Sequence, residues 1–363
     1  MKKRLLFTAY SLELGGIEKA LVNLLNRLDY EKYDVTLIVE KKEGIFLDMI
    51  NSNVKVLDYK ISDSKVVLFR KIKNRLKLVF WKLKLNKKYD FSCSFATYSI
   101  PGAHLALAAS KNSTLWMHGN YYVNYGCDED VLKDFLDGVF ATKFKRVVFV
   151  SDENKREVCK HYQGISDKAM VCNNFIDGDE IIEKASEEVE FKRKKCPLFL
   201  NVGRHEEYQK RLTRIIEATE KLVKDGYKFQ ILCIGDGPDS FRYQDMVSDM
   251  KLDDVIVFLG KKKNPYPYYK MCDAVILSSE YEGYPVVFLE SMVLDKPILS
   301  TKISDWEELD GKYGMFSSLD TDGVYKMMKK YLDKGFDVKE RFDYNQFNLE
   351  VEKKINDMIE DNM

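Results

Sequence analysis

Short β-rich apolar runs, each followed by a longer stretch of helical apolar spacing, alternate along the whole length of this chain. A parallel sheet covered by helices requires that order, because parallel strands need long crossover connections. Leu5–Tyr10, Val35–Val39, Val54–Tyr59, Phe91–Phe95, Ser113–Met117 and Arg146–Val150 read as strands of a first sheet. Residues 17–28, apolar at 17, 20, 21, 24, 25 and 28, read as its first amphipathic helix. A stretch at 177–195, rich in Glu, Lys and Asp, reads as a link between domains. The alternation then restarts with Leu198–Gly203, a helix over Leu212–Lys224, and strands at Phe229–Ile234, Val255–Leu259, Ala274–Leu277 and Pro297–Ser300. We expect two tandem doubly wound α/β domains, 1–176 and 177–343.

At 363 residues, with 45% apolar and 32% charged residues, the chain can bury two cores without staples and is not a disordered protein. Its seven cysteines are widely spaced and form no C-x-x-C, which argues against a disulfide framework and a zinc site and fits a reducing cytoplasm. The apolar run after Met1–Arg4 is too short for a signal peptide and reads as a strand. Residues 91–110 are uncharged but contain Pro101, Gly102 and His104, so a strand, a turn and a short helix explain them better than a membrane span. The net charge of zero conceals a basic half, +6 over residues 1–180, and an acidic remainder.

Three strand-loop-helix passages hold residues suited to an anionic ligand. After the first strand, Gly15-Gly16-Ile17-Glu18 opens a helix, where main-chain N–H groups and the helix dipole favour an anion and glycines let a phosphate approach. A plain tight turn with Glu18 in the first helical turn is the alternative. The full G-x-G-x-x-G is absent, which argues against a dehydrogenase. After Leu198–Gly203, Arg204 and Lys210 could clamp a diphosphate, one through a planar fork and the other as a point charge; solvated surface cations are the alternative. After Ala274–Leu277 come Glu280, Glu282, Gly283, Tyr284, Pro285, Val286 and, eight residues past Glu282, Glu290. Pro285 suits a first helical turn, which leaves Glu282 before the helix and Glu290 inside it. Carboxylates so placed accept hydrogen bonds from two sets of hydroxyls, with helix-start N–H groups between them for phosphate. The spacing alone is common by chance, and its strand-loop-helix setting gives it weight.

Together these residues resemble the retaining nucleotide-sugar glycosyltransferases of family 4, the group 1 glycosyltransferases. Those enzymes have the GT-B fold, two Rossmann-like domains facing a central cleft. Glu282-x7-Glu290, Lys296-Pro297, Val202-Gly-Arg204, Gly235-Asp-Gly237-Pro238, Val255–Gly260, Asn174–Asp177 and Gly-Gly-Ile-Glu18 carry the resemblance, which spans almost the entire chain. It implies that Arg204 and Lys210 hold the donor diphosphate, Glu290 the ribose hydroxyls and Glu282 the transferred sugar. Gly15, Gly16, Gly283, Tyr284, Pro285 and Val286 complete the donor site. His118, in Trp116-Met-His118-Gly119-Asn120, matches the histidine that faces the donor sugar and shares the catalytic assignment with Glu282; a structural histidine is the alternative. Five residues separate Arg204 from Lys210 where many members have four, so Arg211 competes for that role. Asp128-Glu-Asp130 imitates a metal-binding D-x-D but is read as a polar loop. The resemblance implies no metal, no cofactor beyond the nucleotide sugar, and a C-terminal helix at about 344–363 packing back on the first domain.

Residues 65–88 hold ten Lys/Arg and no acid, with Phe69, Ile72, Leu76, Val79, Phe80 and Leu83 at helical spacing. With Arg70, Lys71, Lys73, Arg75, Lys77, Trp81, Lys82 and Lys84 as candidate contacts, this basic amphipathic helix suits an anionic membrane surface. The alternative is an ordinary helix whose apolar stripe is core. The expected function is transfer of a hexose or N-acetylhexosamine from a nucleotide sugar, a UDP-sugar by preference, to a glycan acceptor on a lipid carrier such as a polyprenol, in capsule, exopolysaccharide or other cell-surface glycan synthesis. Such an enzyme is cytoplasmic or peripheral at the inner face of the plasma membrane. A GT-B nucleotide-sugar epimerase and a non-catalytic glycosyltransferase-like membrane partner are the alternatives. No nucleic-acid module is recognisable.

Overall fold

The computed structural model describes residues 1–13, 15–62 and 65–361, which divide into two compact units, one of 1–175 with the chain from Asn348 onward, the other of 176–347. The first unit holds seven strands: β1 (Lys3–Ala9), β2 (Tyr33–Val39), β3 (Lys55–Asp58), β4 (Phe91–Ser94), β5 (Ser113–Met117), β6 (Arg146–Phe149) and β7 (Ala169–Val171). They form one parallel sheet in the order β3-β2-β1-β4-β5-β6-β7. The second unit repeats the plan with β8 (Leu198–Val202), β9 (Gln230–Ile234), β10 (Ile256–Gly260), β11 (Ala274–Leu277), β12 (Ile298–Thr301) and β13 (Gly314–Ser317), ordered β10-β9-β8-β11-β12-β13 and also parallel. This is the two-domain GT-B architecture expected from the motifs.

The order in which successive strands are added reverses between β1 and β4 and between β8 and β11, all strands remaining parallel. Open α/β sheets bind ligands outside the carboxyl ends of strands at such points. The central strands are buried on both faces, as Leu5, Leu6 and Phe7 illustrate, so they read as continuous apolar runs. Helix α1 (Gly16–Arg27) seats Ala20, Leu21, Val22, Leu24 and Leu25. At about 1.5–3 kcal/mol per large buried aliphatic side chain, packing and not propensity fixes such a helix.

Two edge strands escaped the sequence reading, β7 and β13. They have three and four residues, and β7 is only half-buried, so neither carries a long apolar run. The stretch 177–195 is not a plain link. It opens with the helix Gly178–Lys184, capped by Asp177, whose Oδ1 accepts from the Glu180 N–H at 3.1 Å, and Ile181 and Ala185 enter the second unit's core. Two turns with so few inward residues are too short to display a period. Nor is Asp128 in a loose loop: its carboxylate accepts from the N–H groups of Asp130 and Val131 at 2.9 and 3.1 Å and caps the helix Glu129–Gly138.

Residues 91–110 are β4, a turn and α3 (Ile100–Ala109), with Ser99 accepting from the Gly102 N–H at 2.8 Å and Pro101 in the first turn. From Asn348 onward the helix Tyr344–Glu360 belongs to the first unit, burying Val351, Ile355 and Met358 there, while Asn112 Nδ2 donates to the Met358 carbonyl at 2.9 Å. The last two positions of the helix expected at 344–363 lie outside the described residues. No helix among the described residues is long and apolar enough to cross a membrane.

Candidate active site

In the second unit the candidate residues gather where β8 and β11 end. Gly203 and Arg204 follow β8, and the short helix Glu207–Lys210 turns the chain across the sheet edge. Arg211 then breaks the helix in the left-handed region, φ 50° and ψ 42°, and Ser278 at the end of β11 donates from Oγ to its carbonyl at 2.8 Å. The break sends the two neighbouring cations to different partners. Lys210 Nζ lies 2.5 Å from Glu282 Oε1, whereas Arg211 Nε lies 3.2 Å from Glu280 Oε2, a carboxylate shared with Arg214.

Glu282 is buried and thoroughly held. Besides Lys210, Ser279 Oγ donates to Oε1 at 2.8 Å and Gln209 Nε2 to Oε2 at 3.2 Å. Three donors on one carboxylate fix its orientation. Arg204, by contrast, leaves 64% of its side chain exposed, with Nε 3.1 Å from Glu206 Oε2. A small recess at this edge is lined by Gly203, Arg204, His205, Lys210, Ser278 and Ser279.

Pro285, at φ −61°, starts the helix Val286–Val293, so Val286 is its first residue. The N–H groups of a first helical turn have no partner inside the helix and point at whatever lies before it. Gly283 is buried, and its carbonyl accepts from Ser304 Oγ at 2.7 Å. Tyr284 is half-buried against Phe288, ring centroids 6.4 Å apart, and burial pushes its phenol up. Glu290, one turn inside, accepts from Tyr269 OH at 2.6 Å and Tyr266 OH at 3.3 Å. The two phenols orient this carboxylate.

Gly235 and Gly237 serve this edge through close approach. A Cβ on Gly235 would sit 1.8 Å from the Gly203 carbonyl oxygen, and one on Gly237 would sit 2.3 Å from that of His205. The chain after β9 therefore packs directly on the chain after β8. His205 is buried in this packing, its Nδ1 2.9 Å from Ser240 Oγ, which in turn donates to Asp236 Oδ1 at 2.7 Å.

In the first unit, Gly15 precedes α1 with φ −163°, ordinary extended backbone, and Gly16 is the helix's first residue. The carboxylate of Glu18 folds over Gly15, where a Cβ would meet Oε2 at 2.1 Å, and its Oε1 accepts from Tyr98 OH at 2.9 Å. His118 follows β5. Its ring lies 4.4 Å from that of Phe95 and parallel to Trp116 at 6.1 Å, and its Nε2 is buried with no partner among the described residues. Burial holds its pKa down to about 3, opposed by a hydrogen bond to the Phe95 main chain. The imidazole is therefore neutral at physiological pH, and a buried ring nitrogen without a partner is costly unless a ligand supplies one.

Sequence reasoning missed Gln209, Ser279, Tyr266 and Tyr269, which touch the two key carboxylates, and Phe95, which packs on His118. The one signal available was Asn264-Pro265-Tyr266-Pro-Tyr-Tyr269, a proline-started helix directly after a strand. In α2 (Val67–Leu85) the candidate contacts Arg70, Lys71, Lys73, Arg75 and Lys84 are exposed, Lys82 is half-buried, and Lys77 Nζ donates to the Lys60 carbonyl at 2.6 Å. Trp81 departs from the expectation. It packs on Tyr59, ring centroids 6.2 Å apart, beneath Lys84, and so faces the protein.

Residues 183–311 match the family model of glycosyl transferases group 1. An uncharacterized glycosyltransferase of Methanocaldococcus jannaschii is 26% identical over 194 residues, 52% of this chain but only about half, 47%, of that relative's length. An N-acetylgalactosamine-N,N'-diacetylbacillosaminyl-diphospho-undecaprenol 4-alpha-N-acetylgalactosaminyltransferase of Campylobacter jejuni is 24% identical over 346 residues, covering 89% of this chain and 88% of that one. Among solved structures, Anabaena HepE in complex with UDP and glucose superposes with a TM-score of 0.75 over 98% of this chain and 99% of that one, at 14% identity. The resemblance read from the motifs is thereby borne out: over residues 183–311 the chain matches the group 1 glycosyltransferases, and both of its units together have the GT-B fold.

Proposed function

We propose that this protein transfers a hexose or N-acetylhexosamine from a UDP-sugar to a glycan acceptor carried on a lipid, with retention at the anomeric carbon and without a metal. The observation that carries the reading is the meeting of Lys210, Glu282 and the start of the helix Val286–Val293 at the point where the second sheet reverses, with Glu290 oriented one turn further in. The relatives support the donor and acceptor classes: the Anabaena protein was crystallised with UDP and glucose, and the Campylobacter enzyme's name places its substrate on a diphospho-undecaprenol.

In this mechanism the cations and helix-start amides take up the negative charge of the departing UDP, which is where transition-state stabilisation has most to gain. Arg204 and Lys210 supply the positive charge that a metal supplies elsewhere. Each already faces a carboxylate, so the diphosphate shares or displaces Glu206 and Glu282 as it arrives. The C1–O bond to the diphosphate breaks as the acceptor hydroxyl attacks from the same face. The hydroxyl's proton passes to the leaving phosphate oxygen, and no covalent sugar–enzyme link is formed. Glu290 accepts the ribose hydroxyls, Glu282 the sugar hydroxyls, and the neutral His118 accepts one sugar hydroxyl at Nε2. A lipid-borne acceptor sets the reaction at the cytoplasmic face of the membrane.

Calorimetric titration of UDP tests the donor site. Binding by the wild type and its loss in Glu290→Ala and Lys210→Ala are expected, and unchanged affinity in both variants would refute the assignment. NMR of a UDP-sugar incubated with the protein alone should show slow hydrolysis at most; a converted sugar epimer would replace the transferase reading with the epimerase one.

A further inference from the structure

Helix α2 turns its apolar face away from the protein. A narrow face of Asn74, Leu78, Trp81 and Leu85 rests on the first unit, packing with Tyr59 and with Leu105 and Ala109 of α3. Opposite it, Phe69, Ile72, Leu76, Val79, Phe80 and Leu83 leave between 46% and 70% of their surface in solvent. At 3.6 residues per turn these six occupy an arc of about 100° along a helix roughly 28 Å long. The same geometry puts Lys71, Arg75 and Lys82 along one border of the stripe and Arg70, Lys73 and Lys84 along the other, while Lys77 turns its ammonium to the Lys60 carbonyl. An ordinary surface helix buries its stripe and solvates its charges, and this one exposes both.

We propose that α2 lies in the plane of an anionic phospholipid surface, with its apolar stripe at the acyl boundary and its bordering cations among the lipid phosphates. A continuous apolar patch of this size is unusual on a soluble surface and marks an interaction site. Its occupant follows from charge. Residues 65–88 contain ten cations and no acid, so two copies joined along the stripe would set cation against cation. A nucleic acid would satisfy the borders but leave the stripe in water. A bilayer with anionic headgroups satisfies both, in the geometry of an interfacial and not a spanning helix. Vesicle binding needs neither donor nor acceptor, so the proposal goes beyond the transferase reading and stands or falls apart from it.

Co-sedimentation of the full chain with vesicles of phosphatidylcholine, with and without 30% phosphatidylglycerol (about 30 mol%, a usual anionic content), provides the test. Binding to the anionic vesicles is expected to exceed binding to neutral ones at least roughly tenfold and to weaken as salt rises. Leu76→Glu with Phe80→Glu should abolish it while leaving the melting temperature unchanged, because both side chains are already exposed. In Phe80→Trp, the new indole should shift to the blue on adding anionic vesicles, while Trp81 in the wild type should not move. Equal pelleting with both vesicle types, no pelleting, or binding untouched by the double glutamate variant would overturn the proposal. So would a wild-type dimer that this variant dissociates, since the stripe would then be a seam between copies.

Discussion

At the carboxyl edge of the first sheet the candidate groups carry no cation: two glycines at the start of α1, beneath the Glu18 carboxylate, and, after β5, one neutral histidine among aromatic rings. At the same edge of the second sheet, ion pairs and carboxylates held by hydroxyls crowd the ends of β8 and β11. Both edges come from the same parallel topology. The difference teaches that topology supplies the place, a strand end beside a reversal, while side chains decide whether that place receives a charged leaving group or a neutral hydroxyl. A diphosphate requires cations and amides; a sugar hydroxyl requires an acceptor that does not repel it.

Breaking the charged edge should have the largest effect. Arg204→Ala, Lys210→Ala and Glu290→Ala should each weaken UDP binding about 10- to 150-fold by calorimetry, the value of a charged hydrogen bond of about 1.5–3 kcal/mol. The neutral edge should answer differently. His118→Ala is expected to lower turnover about 10- to 100-fold while UDP affinity stays within about a factor of two, a split that steady-state kinetics with titration would reveal. Equal losses in both measurements would erase the distinction between the edges.

Smaller effects sharpen it. Lys210→Met removes the cation paired with the buried Glu282 and should cost about 1–3 kcal/mol of stability in urea melts. Adding Glu282→Gln should recover part of that, giving a non-zero coupling in the double-mutant cycle. Tyr269→Phe removes one of the donors that orient Glu290 and should cost about 1 kcal/mol.

The neutral edge also carries a dependence on pH. The folded protein holds His118 near pKa 3, below the ordinary value of 6.5, so the unfolded chain takes up the proton first as pH falls. The stability this group contributes is fully present above about pH 6.5 and is lost progressively toward pH 3. His118→Gln should flatten the melting-temperature profile over that window, and an unaltered profile would place the histidine in a wetter setting.

The contrast between α2 and the helix Leu212–Lys224 marks how far sequence reasoning reached. Both display helical apolar spacing. The second buries its stripe, Leu212, Ile215, Ile216 and Leu222 included, and the first exposes its own. Periodicity says that a helix has an apolar face and is silent on what covers it. The same limit applies at the site. Arg204, Lys210, Glu282 and Glu290 were legible because each lies close in sequence to a strand end. Ser279 apart, the donors that hold the two carboxylates come from segments more distant in the chain, as with Tyr269 for Glu290 and Gln209 for Glu282.

The alternation of strands and helices, the two α/β halves and the motifs at the strand ends are written in the amino-acid order, because these depend on local pattern and on residues adjacent in the chain. That Lys210 and not Arg211 meets Glu282, that Trp81 turns inward and that α2 presents its stripe to solvent emerge from the folded chain. Each of those outcomes depends on a backbone break or a packing partner contributed by a separate segment, and no local pattern encodes which segment arrives.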